Sequence, residues 1–288
     1  MPGKRGDMPG QPKIGLALGG GAARGLAHIV ILEALDEIGV RPGFVAGCSI
    51  GALLGAAYAS GLSAQEIRAH ALSVLAGPGA AARQFFSGGK RSAKAINFSL
   101  FRRAPLNGLG LVEMVSPPGM ATRIEQTEIP FAVSATDFHA ASALTLESGD
   151  MQTAIAASIA IPGVISAPKL DGRVLIDGAY TNPVPMHEAR AHGCDILIAV
   201  DVTGLPLVEV SGADPGPTAL ILGATQILQK RITALQSAQV RPEITITPRV
   251  DRFGAHEFLK IRQILEAAEP ERERLKRLLG AALERAGG

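Results

Sequence analysis

The chain has 288 residues, 47% of them hydrophobic, which is enough to bury a sizeable core. A formal net charge of +2 and 4% aromatic residues, with no Trp, offer neither a basic field nor stacking surfaces, so nucleic acid is not expected as a partner. Two cysteines, Cys48 and Cys194, cannot build a disulfide framework, and a reducing compartment is the simpler reading.

Residues 1–12 are polar and rich in Gly and Pro, with no apolar core after their basic residues. They read as a flexible leader and not as a signal peptide. Residues 13–288 show no dividing linker and no internal repeat, so a single domain is expected. Ile14 to Leu18 is a short apolar run that stops at glycines, the pattern of a buried parallel strand. Leu26, Ile29, Val30 and Ile38 then fit a helix closed by Gly39. Phe44 to Ala46 reads as a second strand, and an Ala/Leu helix follows Gly51 and stops at Gly61. Strand, helix, strand, helix predicts a parallel sheet with covering helices.

The stretch 77–119 differs in composition. No acidic residue occurs between Glu66 and Glu113, while Lys90, Arg91, Lys94, Arg102 and Arg103 lie inside that gap with Phe85, Phe86, Phe98 and Phe101. Two readings stay open: a cap that offers Phe to acyl chains and basic residues to anionic headgroups, or an ordinary solvated loop. Further on, Phe131 to Thr136, Ala143 to Leu146, Arg173 to Ile176, Asp195 to Val202 and Glu243 to Thr247 are predicted strands. Met151 to Ser158, Met186 to His192 and Leu220 to Ala238 are predicted helices. Glu257 to Arg285 reads as an amphipathic helix broken near Pro270. No apolar run reaches the roughly 18 residues of a spanning helix. A cytoplasmic protein is expected, with any membrane contact peripheral.

Three motifs carry chemistry. Gly47-Cys48-Ser49-Ile50-Gly51 is a G-x-S-x-G sequence between a strand and a helix, the context of a nucleophile elbow. Its flanking glycines admit close backbone, and the helix N-terminus favours developing negative charge near Ser49. The competing reading is a turn whose serine only caps the helix. Gly19-Gly20-Gly21-Ala22-Ala23-Arg24-Gly25 also joins a strand to a helix. Arg24 stands where a dinucleotide fingerprint needs glycine, and no Gly-Lys-Ser/Thr is present, so nucleotide binding is disfavoured. Its exposed amides suit an oxyanion instead. Asp177-Gly178-Ala179 ends a predicted strand, where an aspartate can project toward the same crevice, although Asp-Gly is by itself only a turn signal. Of the six histidines, His187 and His192 follow Asp177 and make the order Ser, Asp, His formally available. Both sit on a helical stretch without a local motif, so helix-face histidines are preferred to a triad.

These motifs, in this order, resemble the patatin-like phospholipase family, and Ala157 to Gly163 is similar to a further family segment. The resemblance implies an α/β three-layer sandwich around a central, mostly parallel sheet, with neither metal nor other cofactor. Carried over by position, it implies Ser49 as nucleophile, Asp177 as general base without a histidine, and the amides of Gly20, Gly21 and Ala22 as oxyanion hole. Gly19, Arg24, Gly25, Gly47, Gly51, Gly178 and Ala179 are the supporting motif positions. Arg24 would hold the glycine loop or favour anionic substrates. Cys48 fills the variable position before the serine, where its thiol matters only if exposed. The implied substrate is a lipid acyl ester, cleaved in the manner of a phospholipase A or lysophospholipase. An acyltransferase with the same Ser-Asp dyad and a non-catalytic regulatory protein of the same fold are the alternatives.

Overall fold

The apolar runs of the sequence become the strands of a mixed sheet in a computed structural model that describes residues 12–76, 106–166, 168–206 and 214–287. The strands are β1 (Ile14–Leu18), β2 (Phe44–Cys48), β3 (Phe131–Asp137), β4 (Ser142–Leu146), β5 (Lys169–Leu170), β6 (Arg173–Asp177), β7 (Ile196–Val200) and β8 (Ile244–Ile246). The helices are α1 (His28–Glu37), α2 (Ile50–Ala59), α3 (Ala64–Ala76), α4 (Gly108–Val115), α5 (Met151–Ser158), α6 (Met186–Ala191), α7 (Pro217–Val240), α8 (Ile261–Ala268) and α9 (Pro270–Gly287). The expected first helix is preceded by a tighter 3₁₀ turn over Ala22–Ala27. The expected break at Pro270 falls between α8 and α9, where proline is tolerated because a first-turn N–H has no intrahelical partner anyway.

The sheet order is β5-β6-β3-β2-β1-β7-β8, with β4 also on β3. β1, β2, β3, β7 and β8 run parallel. β1, β2 and β7 are buried along their whole length, as strands covered on both faces must be. Alternation divides their side chains between two cores. Leu16, Leu18, Ile196, Ile198 and Val200 join the larger core with residues of α1, α2, α5, α8 and α9. Ala17, Ala46, Leu197 and Ala199 join a smaller one with Met186 and Ala189 of α6. The result is the expected α/β sandwich, with helices on both sides of a mostly parallel sheet. Arg272 ties α9 to α1 through Glu33 at 2.6 Å.

The register around β3 positions the site. β2 pairs with Phe131 to Ser134 of β3. β6 pairs antiparallel with Ala135 to Asp137. β4 pairs along Val133 to Asp137 and so overlaps both in register. One edge of a strand holds one partner at a time, so β2 and β6 must share the other edge of β3, end to end. Their carboxyl ends face each other: Cys48 lies opposite Ser134 and Asp177 opposite the next residue, Ala135. Of the segment read as cap or loop, residues 77–105 lie outside the described residues. Residues 108–115 form α4, which packs on α5 and is capped by the Asn107 side chain accepting from the Gly110 amide.

Candidate active site

Ser49 follows β2 directly and turns the chain into α2 with φ 54° and ψ −121°. A non-glycine residue in the left-handed φ region is strained by about 1–3 kcal/mol and persists only where its surroundings impose it. Here they do. A Cβ on Gly47 would overlap the backbone of Gly51 and Ala52, and one on Gly51 would overlap the Leu18 carbonyl. The two glycines of the pentapeptide are thus required by backbone approach between β1, β2 and the start of α2. A Cβ on Gly25 would likewise overlap the Ile50 side chain, so this glycine seats α2 against the 3₁₀ turn.

The hydroxyl of Ser49 donates to Asp177 Oδ2 at 2.8 Å. The other carboxylate oxygen accepts from the Ala179 amide at 2.9 Å and faces the Cys48 thiol at 3.8 Å. A Cβ on Gly178 would overlap the Ser134 carbonyl, so glycine is needed where the chain leaves Asp177 across β3. Ser49 and Asp177 are 6% and 4% exposed. Burial raises the Asp177 carboxyl from 3.8 to about 6, while the hydrogen bonds from Ala179, Ser49 and Cys48 hold it down against a larger shift. A carboxylate poised there accepts a proton at neutral pH far better than a solvated aspartate. Cys48 is fully buried, and burial followed by the charge of Asp177 raises its thiol well above the ordinary range, so it stays protonated and unreactive.

The glycine loop lies beside this pair. Gly20 approaches the side chains of Ala179, Cys48 and Ser49 closely enough that its Cβ would touch all three at 3.4 Å. Its amide donates to the Pro183 carbonyl at 2.9 Å, and that of Gly19 to the Val200 carbonyl at 2.9 Å. The amides of Gly21 and Ala22 donate to no acceptor among the described residues. The N-terminus of α2 adds its positive end at Ser49.

Arg24 is buried behind the loop. It donates to the Phe253 carbonyl at 3.3 Å and lies against Gly204. Burial lowers its guanidinium from the ordinary value, and Asp251 and Asp201 pull the other way. Such a side chain ties the 3₁₀ turn to Phe253 and Gly204 and offers no charge to the surface. His28 braces the loop from inside: its ring Nε2 lies 2.8 Å from the Gly19 carbonyl, which can only accept. Burial lowers His28 to about 4, so the ring is neutral and Nε2 carries the proton.

Among the described residues, no histidine hydrogen-bonds Ser49 or Asp177. His187 is exposed, and His192 stacks on Phe44, at the far end of β2, with its ring against Glu147. Sequence reasoning marked the segment around Ser158 but not the role of that residue. The Ser158 hydroxyl accepts from the Ser49 amide at 2.7 Å and donates to the Ser134 carbonyl at 2.6 Å. It bridges the elbow to β3. Ser158→Ala is expected to leave a buried amide unpaired, lower stability by about 1–3 kcal/mol, and lower kcat by about tenfold or more through misplacement of Ser49. Thermal melting and steady-state kinetics measure the two effects; unchanged kcat would make Ser158 purely structural.

Among the described residues, no cluster of three His, Cys, Asp or Glu side chains is arranged to hold a metal ion. A surface cleft lined by Glu33, Asp36, Arg68, Glu269 and Arg272 contains no residue of the three motifs, and its Arg68 and Arg272 pair with Glu33 and Glu269 in the same walls.

A serine held against a buried carboxylate at meeting strand ends, beside unpaired loop amides, is an arrangement that can carry nucleophilic chemistry in an α/β protein. Residues 16–190 match the sequence model of the patatin-like phospholipase family, and the chain belongs to that family. An NTE family protein of Mycobacterium tuberculosis is 34% identical over 214 residues, which cover 72% of this chain and 54% of that protein. Patatin-like phospholipase domain-containing protein 7 of Mus musculus is 32% identical over 193 residues, 66% of this chain and 13% of that protein. This chain therefore spans about half the length of the mycobacterial relative and a small part of the murine one. VipD from Legionella pneumophila aligns over 93% of this chain and 67% of its own, with a TM-score of 0.48 at 12% identity.

Proposed function

We propose that this protein hydrolyses acyl esters of lipids through a Ser49–Asp177 dyad and an acyl-enzyme. The observation that carries the reading is the 2.8 Å hydrogen bond from the Ser49 hydroxyl to a buried carboxylate raised to about 6. Membership of a family of phospholipases supports the substrate class. Asp177 takes the Ser49 proton as Oγ attacks the ester carbonyl. The oxyanion is received by the amides of Gly21 and Ala22; that of Gly20 is committed to Pro183 and serves the shape of the loop instead. One such donor is worth about 3–4 kcal/mol in the transition state. Asp177 returns the proton to the leaving alcohol. Water, deprotonated by the same carboxylate, then releases the fatty acid and restores Ser49.

A fluorophosphonate probe tests the assignment directly. Labelling of the wild-type protein, its loss in Ser49→Ala and release of free fatty acid from phospholipid vesicles are the expected results. A wild-type protein that takes no label, or a Ser49→Ala protein that keeps it, overturns the reading.

A further inference from the structure

The helix α7 is amphipathic in the inverted sense. Four of its polar side chains face the protein. Gln226 donates to the Thr203 carbonyl, Lys230 to Asp201 at 2.9 Å, and Gln236 to Asn182 at 3.2 Å, while Thr233 is buried. The opposite face recurs at helical spacing and is almost wholly apolar: Leu220, Ile221, Ile227, Leu228 and Leu235, with Arg231 as the charged member. Leu220, Ile221, Leu228 and Leu235 are 57%, 64%, 64% and 68% exposed. A water-facing helix normally shows the reverse arrangement, and a contiguous apolar stripe of this kind marks a surface made to be covered.

Charge and size identify the cover. From Pro217 to Val240 the helix carries no acidic residue; its charges are Lys230 and Arg231. A stripe of Leu and Ile with one projecting arginine complements an anionic lipid surface, where the guanidinium reaches phosphates from an apolar bed. A second copy fits poorly. A helix of this length is about 36 Å long and about 10 Å across, so two facing copies would bury roughly 700 Å² in all. Stable interfaces need about 1,200 Å² or more. In a centred antiparallel pair, moreover, both Arg231 side chains would enter one apolar seam. The helix is also continuous with the candidate site, because α7 packs on Gly178–Tyr180 directly after Asp177, and Gln236 holds Asn182. No helix among the described residues is long and apolar enough to cross a membrane, which suits a helix lying in the plane of the surface.

We propose that α7 docks this protein on anionic lipid surfaces, with Leu220, Ile221, Ile227, Leu228 and Leu235 in the acyl layer and Arg231 at the headgroups. The choice of lipid as occupant rests on the lipid-ester reading of the site. In the Ser49→Ala background, flotation is measured with phosphatidylcholine vesicles with and without phosphatidylserine. The expected results are binding that phosphatidylserine strengthens, at least about tenfold weaker binding when Leu220, Ile221, Leu228 and Leu235 are all changed to Ser, and loss of the phosphatidylserine effect in Arg231→Glu. Melting temperature and monomer mass are expected to stay unchanged in both variants. The idea is overturned by unaltered flotation of the fourfold variant. It is equally overturned if the parent is a dimer that this variant dissociates, or if the variant melts lower, since the face is then covered by a second copy or by the chain itself. Hydrolysis is read separately, in wild-type protein with a soluble ester, so failure of the docking idea and failure of the catalytic reading are distinguishable.

Discussion

On the proposed mechanism, Ser49→Ala is expected to lower kcat for ester hydrolysis by about four orders of magnitude or more with little change in KM, because the atom proposed to form the acyl-enzyme is gone while the binding surface remains. The Oγ atom is the group bonded to Asp177 Oδ2. Removing it also leaves that oxygen without its hydroxyl donor, which favours the protonated acid. On the same proposal, the residual rate measures what the Gly21 and Ala22 amides and the α2 N-terminus achieve alone. Alanine retains the Cβ of serine and inherits the same strained φ of 54°, so the elbow itself is kept. A steady-state comparison on a soluble ester, with a melting curve beside it, separates lost chemistry from lost fold. Turnover close to wild type would remove Ser49 from the reaction.

Asp177→Asn is expected to act on rate and stability in opposite directions. The amide keeps the size of the carboxylate, can accept from Ala179 and can donate toward Ser49, but it cannot take a proton. Loss of kcat by several orders of magnitude is therefore expected, without the acid limb expected of wild type. That limb in kcat/KM should have its midpoint near 6, rising with pH as the carboxyl ionises. The stability effect has the sign of a raised carboxyl. The folded protein holds this proton more tightly than the unfolded chain, so between 3.8 and about 6 the native state binds more protons and stability falls as pH rises. Below that window both states are protonated and the cost is absent; above it the cost is complete, about 3 kcal/mol at most. Asp177→Asn should thus melt higher than wild type at about pH 8, and the gap should close toward about pH 4. A gap independent of pH would mean that the Asp177 charge is not what burial opposes.

The two effects share one cause. A buried carboxylate is a better base because it is uncomfortable there, and the head-on meeting of β2 and β6 imposes that discomfort. Ser49 is strained at the same place by a second cause: glycines at 47 and 51 bring the backbone of β1, β2 and α2 so close that the serine must turn out of the strand. Strain and desolvation are both concentrated at one point of the fold.

Much of this arrangement was legible in the residues. The buried runs Ile14 to Leu18 and Ile196 to Val200 read as strands because strands covered on both faces are continuously apolar. The elbow, the glycine loop and Asp177-Gly178-Ala179 were visible because close backbone approach demands glycine at set spacings. Ser158 was visible only as part of a segment: a serine at a helix end carries no local mark of bonding to an amide far away in sequence. The Gly20 amide was read as an oxyanion donor, yet its use by Pro183 depends on a chain segment that no local pattern connects to it. The true setting of α7 was equally hidden, since its apolar stripe reads as a buried face until the packing shows the polar side turned inward.

The sequence alone determined most strands, the helices that flank the motifs, the order of the motifs, and Ser49 as the residue to test, because propensity, glycine placement and periodicity act over a few residues; α3, α4 and β5 emerged only in the structure. Only the tertiary structure decided that β6 enters antiparallel on the edge of β3 that β2 leaves free. That choice brings Ser49 and Asp177, 128 positions apart, within 2.8 Å. It depends on register and long-range packing, which no local run of residues encodes.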